Sequence, residues 1–405
     1  MKNKDCLICS KTISPFVDFG NMPIANSFMK IVNEKEYLFS MQMAFCKNCY
    51  MVQLIEQPAR EKMFHENYAF FSSTSDFMKK HFYKFYEEIK EKQKLNEKSL
   101  VVEIGCNDGI MLENFVNSKI PCLGVEPSKN VAKVARQKGI EVFENFFDKP
   151  LAEILEKKYG KADVIFSANV MCHIPYLGSV FEGIHNLLKH TGIFTFEDPY
   201  LGDVMNKNSF DQIYDEHVFL FSALSIQKIA KLYELELINV QPQNSHGGSM
   251  RYTLAHKGKK KISNKVNQLI NDEKKLGLDK KNFYFGFEKN INKIKKDLIN
   301  LLLRLKKEKK KVVGYGATSK STTVINYFDI TKDLVECIYD TTPGKFYTFS
   351  PGKHLPILPY SEFRKSNPDY VLLFAWNHAD EIMQKEKEYM KNRNWILYVP
   401  QVSII

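Results

Sequence analysis

The chain of 405 residues is marked first by what it does not contain. No run approaches the roughly 18 consecutive apolar residues of a membrane-spanning helix, so a helical membrane protein is excluded and no membrane partner is expected. The opening MKNKDCLICS has none of the apolar core of a secretory leader, and a cytoplasmic location is the expectation. Nor does either glycine turn that follows a predicted strand carry the full G-x-G-x-x-G pattern, whose second glycine admits a pyrophosphate. Net charge is +11, from 58 Lys and Arg against 47 Asp and Glu. The lysines are dispersed or lie in helical stretches such as 257–261 and 306–311, with no stacking aromatics between them. This argues against a nucleic-acid platform and leaves solvated faces with a general attraction for anions.

What is present centres on Val101-Val102-Glu103-Ile104-Gly105-Cys106-Asn107-Asp108-Gly109. A β-branched run ending in an acid, then glycines four apart, then a periodic segment, predicts a buried strand, a tight turn and a helix start. Gly105 and Gly109 would let backbone approach a ligand, and Asn107 stands where a dinucleotide site has its second glycine. A cofactor without phosphates, S-adenosylmethionine (SAM), fits this turn better than a dinucleotide does. The next apolar run ends in Glu126-Pro127, an acid placed to accept from ribose hydroxyls. Strands predicted at 100–104, 120–126, 162–168, 192–197 and 235–240 alternate with helical segments, implying a mainly parallel sheet whose ligands lie beyond its carboxyl edge. Asn145 and Asn169 follow strands on that edge and would complete the set Glu103, Gly105, Asn107, Gly109, Glu126 and Pro127.

Two close cysteine pairs, Cys6-x-x-Cys9 and Cys46-x-x-Cys49, predict a tetrahedral structural zinc in a reducing compartment, with no open coordination position for catalysis. The other four cysteines, Cys106, Cys122, Cys172 and Cys337, read as small core residues. His173 follows the fourth strand. His217 follows Tyr214-Asp215-Glu216 in a non-periodic loop, where a carboxylate could orient and raise the basicity of an imidazole and a phenol could donate to a developing oxyanion. Residues 65–75 run from an aromatic patch into hydroxyls and read as a connector capping a helix at 76–93. Arg251 ends a glycine turn, Ser245-His246-Gly247-Gly248-Ser249-Met250, and opens a strand. Lys259–Lys311 reads as a helix pair. Lys311-Val312-Val313-Gly314-Tyr315-Gly316-Ala317-Thr318-Ser319-Lys320 then repeats the strand, turn and helix, with Gly314, Gly316 and Lys320 suited to a diphosphate and Asp340 mirroring Glu126.

The cysteine pairs, E-x-G-x-x-x-G, H-I-P, Y-x-E-H, H-G-G-S and G-Y-G-A-x-x-K, in this order from Cys6 to about Pro400, resemble the SAM-dependent sugar C-methyltransferase family acting on nucleotide-linked 4-keto-6-deoxysugars. The resemblance implies an α/β fold: a central Rossmann-like methyltransferase domain (66–255) between a small zinc-binding domain (1–65) and a helical spacer plus Rossmann-like nucleotide-sugar domain (256–405). It implies that His217 is the general base, with Glu216, Tyr214, His173 and Tyr68 as catalytic neighbours. Ser72, Ser73, Arg251, Gly314, Tyr315, Gly316, Lys320 and Asn377 fall to the nucleotide-diphosphate sugar, for which a dTDP link is expected, in a monomer or weak homo-oligomer. Two positions depart from the family pattern: Asp215 where histidine is usual, and Cys106 where serine is usual. Methylation of a sugar-nucleotide hydroxyl or amine, and a non-catalytic zinc and nucleotide scaffold, are the rival readings.

Overall fold

The protein is described by a computed structural model covering residues 4–32, 35–59, 63 and 71–405. Among the described residues three sheets follow one another. The first is antiparallel and built from Lys4–Asp5, Thr12–Pro23, Leu38–Phe45 and Val52–Leu54. Its last strand, Phe219–Leu220, comes from far along the chain and pairs with 52–54.

The second sheet has seven strands, in the spatial order 235–243, 249–256, 188–199, 162–168, 101–104, 122–125, 141–143. Its five strands from 101 to 199 run parallel, and the two from 235 to 256 close one edge antiparallel. Val101–Ile104 lies between 122–125 and 162–168, so the strand order reverses there and a crevice opens at the carboxyl ends. The four side chains of Val101–Ile104 are all buried, as a strand covered on both faces requires.

One covering helix is Asp76–Gln93. Ser75 caps it by accepting from the Met78 N–H, Asp76 and Lys90/Lys92 sit at the ends that suit the helix dipole, and Lys94 in left-handed conformation stops it. Its apolar stripe of Phe82, Phe85, Tyr86 and Ile89 faces the sheet. Arg251, on the edge strand, ties helix to sheet: its guanidinium lies 3.5 Å over the Phe85 ring, donates to Glu88 at 2.7 Å, and pairs with Glu197. Arg251 and Glu197 are 5% and 1% exposed. Without Arg251 the buried Glu197 keeps only the His81 ring, at 2.7 Å, and the Phe85 face loses its cover, so Arg251→Leu should lower the unfolding free energy by roughly 3 kcal/mol in urea titration. A change below about 1 kcal/mol, as for an exposed pair, would contradict this.

The third sheet also has seven strands and places Val312–Tyr315 centrally, parallel to both Ile338–Asp340 and Tyr370–Leu373. It repeats the switch-point geometry of the second. The segment expected to be a spacer forms two helices, Asn264–Leu276 and Lys281–Lys307. The longer one buries Tyr284, Phe287, Ile291, Ile294, Leu298, Leu301, Leu302 and Leu305, a helical stripe at three- and four-residue steps. Tyr284 stacks on Phe45 of the first sheet at 4.5 Å, and Lys295 donates to the Tyr327 carbonyl of the third unit. This helix is a strut packed along both flanking units rather than a tether.

Candidate active site

At the crevice of the second sheet lies a cavity that opens to solvent, about 960 Å³ with its mouth counted. Ile104, Val125, Phe146 and Phe147 give it apolar walls, and Asn107, Glu126, Asn145 and Asn169 supply the polar groups. Gly105, Pro127, Ser72 and His173 line it too. The loop after Val101–Ile104 is held from within: both Glu126 oxygens accept backbone N–H groups, from Asn107 at 3.0 Å and Ser128 at 2.8 Å. Asn107 and Asp108 in turn accept the N–H groups of Ser72 and Ser73. Ser73 turns its hydroxyl to Lys138, whereas Ser72 stays on the cavity wall.

Several expected cofactor and substrate residues are placed elsewhere. Gly109 (φ +76°) does not line the cavity; a Cβ there would come 2.3 Å from Ile140 Cδ1 and 3.1 Å from Ala135 Cβ, so this glycine serves close packing of the turn against the end of the helix Lys129–Gln137 and Ile140 beyond it. At Gly105 (φ +73°) the space that a side chain would take is filled by Val170, 2.4 Å away, not by open cavity. Glu103 is buried beneath the loop, and its Oε2 has no hydrogen-bond partner among the described residues. Burial, then the nearby Glu126 and Asp108, push its carboxyl well above the usual range. Glu103 does not line the cavity; the acid that does is Glu126, and with Asn107, Asn145 and Asn169 between apolar walls it fits a nucleoside-bearing cofactor such as SAM. Arg251 is consumed by Glu88 and Glu197 and is not available to an acceptor. Tyr315 belongs to the third unit's core, edge-on to Phe363 at 5.2 Å, and Gly314 makes room for Phe374. Tyr68 lies outside the described residues.

The loop 210–217 is the meeting point of the three units. The His217 ring, 4% exposed, donates from Nδ1 to the Gln212 carbonyl at 2.6 Å, which leaves Nε2 as the acceptor of the Tyr214 hydroxyl at 2.8 Å. It stacks at 5.3 Å on His173, and His173 is the ring that faces the cavity; His217 stands one ring behind. Burial and His173 hold the His217 imidazole well below its ordinary pKa, and burial lowers His173 to about 4, so both are neutral bases at neutral pH. The expected carboxylate partner is absent from His217: Glu216 Oε1 accepts from Asn26 Nδ2, and Asp215 Oδ1 from the Ala25 N–H, both at 2.8 Å. The sequence shows a carboxylate beside an imidazole, but adjacent residues in a tight loop point different ways.

Sequence reasoning gave no role to Asp211 and Gln212, which the structure brings to this point beside the expected Lys320 and Asn377. Asp211 accepts from Trp376 Nε1 and the Tyr398 hydroxyl, both at 2.6 Å, and Gln212 donates to the His246 carbonyl. The charge of Lys320, on the first turn of Ser319–Phe328, acts on His217, His246 and Asp211. Trp376 and Asn377 pack beside Gly247. Asp211 and Gln212 lie in a stretch without periodicity, so only their partners, more than 30 residues away, reveal them.

Burial first, then the Asp215 charge, raises the Glu216 carboxyl to about 8, and burial raises Asp215 to about 7. An acid raised in the folded state stabilises while protonated and loses that advantage as pH rises from its unfolded value, near 4, to its folded one. Glu216→Gln should therefore gain stability relative to wild type between pH 5 and pH 9, read as a melting-temperature difference that widens with pH. A difference constant across that window would show that the carboxyl is not perturbed.

In the first unit Cys6 and Cys49 have sulfurs 3.5 Å apart, as do Cys9 and Cys46, and all four lie within 4.8 Å of one another. Zn–S bonds of about 2.3 Å in a tetrahedron put sulfurs roughly 3.8 Å apart, so the cluster fits this ion. Without a cation the thiols compete for one charge: hydrogen bonds from Cys49 and Cys6 hold Cys46 far down, while Cys46 pushes Cys6 up to about 12. The four thiolates bind structural zinc. Among the described residues no helix is long and apolar enough to cross a membrane.

Comparison with known proteins covers the chain nearly end to end. A putative zinc-binding domain family matches residues 6–64, a methyltransferase domain family 77–240, and a C-methyltransferase C-terminal domain family 244–400. The C-methyltransferase NovU of Streptomyces niveus is 28% identical over 393 residues, spanning 96% of this chain and 93% of that protein. The ubiquinone biosynthesis O-methyltransferase of Nitrosococcus oceani is also 28% identical, over only 96 residues, 23% of this chain and 40% of that one. Among solved structures, a SAM-dependent methyltransferase of Anabaena variabilis shares 16% identity with a TM-score of 0.34, covering 43% of this chain and 84% of its own. A zinc-binding unit, a methyltransferase unit and a C-methyltransferase C-terminal unit in that order, together with similarity to a C-methyltransferase over nearly its whole length, make this enzyme a SAM-dependent C-methyltransferase.

Proposed function

We propose that the enzyme methylates a carbon alpha to the ketone of a nucleoside-diphosphate-linked 4-keto-deoxysugar, with His217 as the general base, in the cytoplasm. The observation that carries this reading is the neutral His173–His217–Tyr214 cluster standing between the cavity at the crevice and the Lys320 end of the third unit. Bound SAM supplies an electrophilic methyl group. A C–H bond is not nucleophilic, so this chain's residues must first create a carbanion equivalent. His217 Nε2 takes the α-proton, its tautomer fixed by the Gln212 carbonyl. To do so it must exchange the Tyr214 hydroxyl for substrate. The freed phenol, with His173, then donates to the enolate oxygen as charge develops there. Lys320, with the turn at Gly316 and Asn377, would take the diphosphate; the proximity of Lys320's charge to His217 and Asp211 supports this.

Because burial lowers His217, the base stays unprotonated on mild acidification, and the acid limb of the rate profile should fall below pH 6. A limb at an ordinary imidazole value would mean that the working base is a solvated group. A second reading comes from His173 lining the cavity directly: there His173 removes the proton and His217 orients it. The deciding experiment offers a panel of 4-keto nucleotide sugars in D₂O, with SAM, and reads products by mass spectrometry. Methylated product with deuterium entering the α-carbon supports the enolising route. Methylation on oxygen or nitrogen without exchange overturns it. His173→Gln and His217→Gln then separate the two readings, since loss of the base abolishes exchange.

A further inference from the structure

Asn26 stands just beyond the strand Thr12–Pro23 of the zinc unit, and its side chain joins three parts of the chain at one point. Its Nδ2 donates to Glu216 Oε1 at 2.8 Å, and its Oδ1 accepts from the Ser319 hydroxyl at 3.0 Å. The contacts on either side run the same way. The Ala25 N–H donates to Asp215, the Ala25 carbonyl accepts from Thr322 Oγ1 at 2.9 Å, and Thr323 Oγ1 donates to the Ile213 carbonyl at 2.8 Å. A half-buried position that must donate in one direction and accept in the other, without adding charge beside Asp215 and Glu216, suits a primary amide. Ser319 is followed by Lys320, whose charge reaches His217.

We infer that Asn26 is a positioning residue: it fixes the Glu216 carboxyl, and with it the setting of the adjoining His217, only while the helix that carries Ser319 and Lys320 is docked. The zinc unit thereby reports the arrival of the third unit to the catalytic loop. This rests on the reading of His217 as base, but the coupling itself does not need that reading. Main-chain continuity between 216 and 217 turns a small displacement of the carboxyl into a rotation of the ring. Misplacement of about 1 Å at a reacting group lowers rate by up to about 10²-fold.

At pH 9, where the Glu216 carboxyl is ionised, Asn26→Asp is nearly isosteric, keeps the acceptor toward Ser319 and removes the donor toward Glu216, setting two carboxylates against each other. In the Glu216→Gln background the polarity is exchanged, with the new amide at 216 donating to the new carboxylate at 26. Expected in the wild-type background is a fall in kcat of about tenfold or more, with unchanged zinc content and SAM affinity. Amide hydrogen exchange should quicken across 211–217. In the Glu216→Gln background the same change at 26 should alter both readouts by less than about threefold. Ser319→Ala, which leaves the zinc unit intact, should quicken exchange in the same loop and raise KM for the acceptor without moving SAM affinity. Equal effects of Asn26→Asp in both backgrounds, or loop exchange unmoved by both Asn26→Asp and Ser319→Ala, would overturn the inference. Should no keto sugar be methylated by the wild-type enzyme, the exchange data still decide the coupling, and only the reaction reading fails.

Discussion

His217→Gln is expected to reduce methyl transfer by about 10²–10⁴-fold, the usual contribution of a general base. SAM affinity by calorimetry should remain within a few-fold, because the ring that touches the cavity is His173 and His217 lies behind it. Glutamine fills most of the imidazole's volume and retains a donor for the Gln212 carbonyl, so the melting temperature should move little. Tyr214→Phe removes the hydroxyl bound to Nε2 and should lower turnover less, since it takes away a donor and leaves the base. The pair of results is diagnostic. Equal loss in both variants would point to a phenol acting as the acid or base. Turnover near wild type in His217→Gln, with α-deuterium exchange intact, would remove the residue from the chemistry altogether.

The second large effect is expected from the metal. Structural zinc contributes roughly 10–16 kcal/mol of apparent binding energy in small thiolate modules, so a stripped first unit has little left to hold its sheet. Chelation under denaturant-free conditions, or Cys46→Ser, should remove one equivalent of zinc and abolish methyl transfer, although no cysteine of the cluster lines the cavity. The route is structural: Phe219–Leu220 pairs with Val52–Leu54, and Ala25 and Asn26 hold Asp215 and Glu216, so loss of the first sheet releases the loop 210–217 at its C-terminal end. The cavity, built on the second sheet, should still take SAM. A zinc-free protein with full turnover would show that the first unit is an appendage, and one that loses SAM affinity as well would show collapse beyond the loop. Re-addition of zinc after gentle removal should restore activity.

Much of this was legible in the order of residues. A strand buried on both faces is a run of apolar side chains, so Val101–Ile104 and Val312–Tyr315 announce themselves; the stripe from Tyr284 to Leu305 does so at helical period. Two C-x-x-C pairs carry the zinc reading because ligand spacing is local chemistry. Other features went the other way for identifiable reasons. Arg251, next to a glycine turn, looks like an anion ligand until the carboxylates of Glu88 and Glu197, 163 and 54 residues away, are seen to consume it. Gly109 fits a ligand motif equally well whether it faces a cofactor or, as it does, the side chain of Ile140.

By itself, then, the sequence determined the alternation of strands and helices in the second and third units, that four cysteines are spaced for a metal, and that a glycine turn follows the central strand of the second sheet, since each follows from the chemistry of neighbours within a few residues. Only the tertiary structure decided which imidazole faces the cavity, that Glu216 is turned to Asn26 rather than to His217, and that three units converge on one loop. Side-chain direction and long-range partnership are set by packing across hundreds of residues, and no local pattern records them.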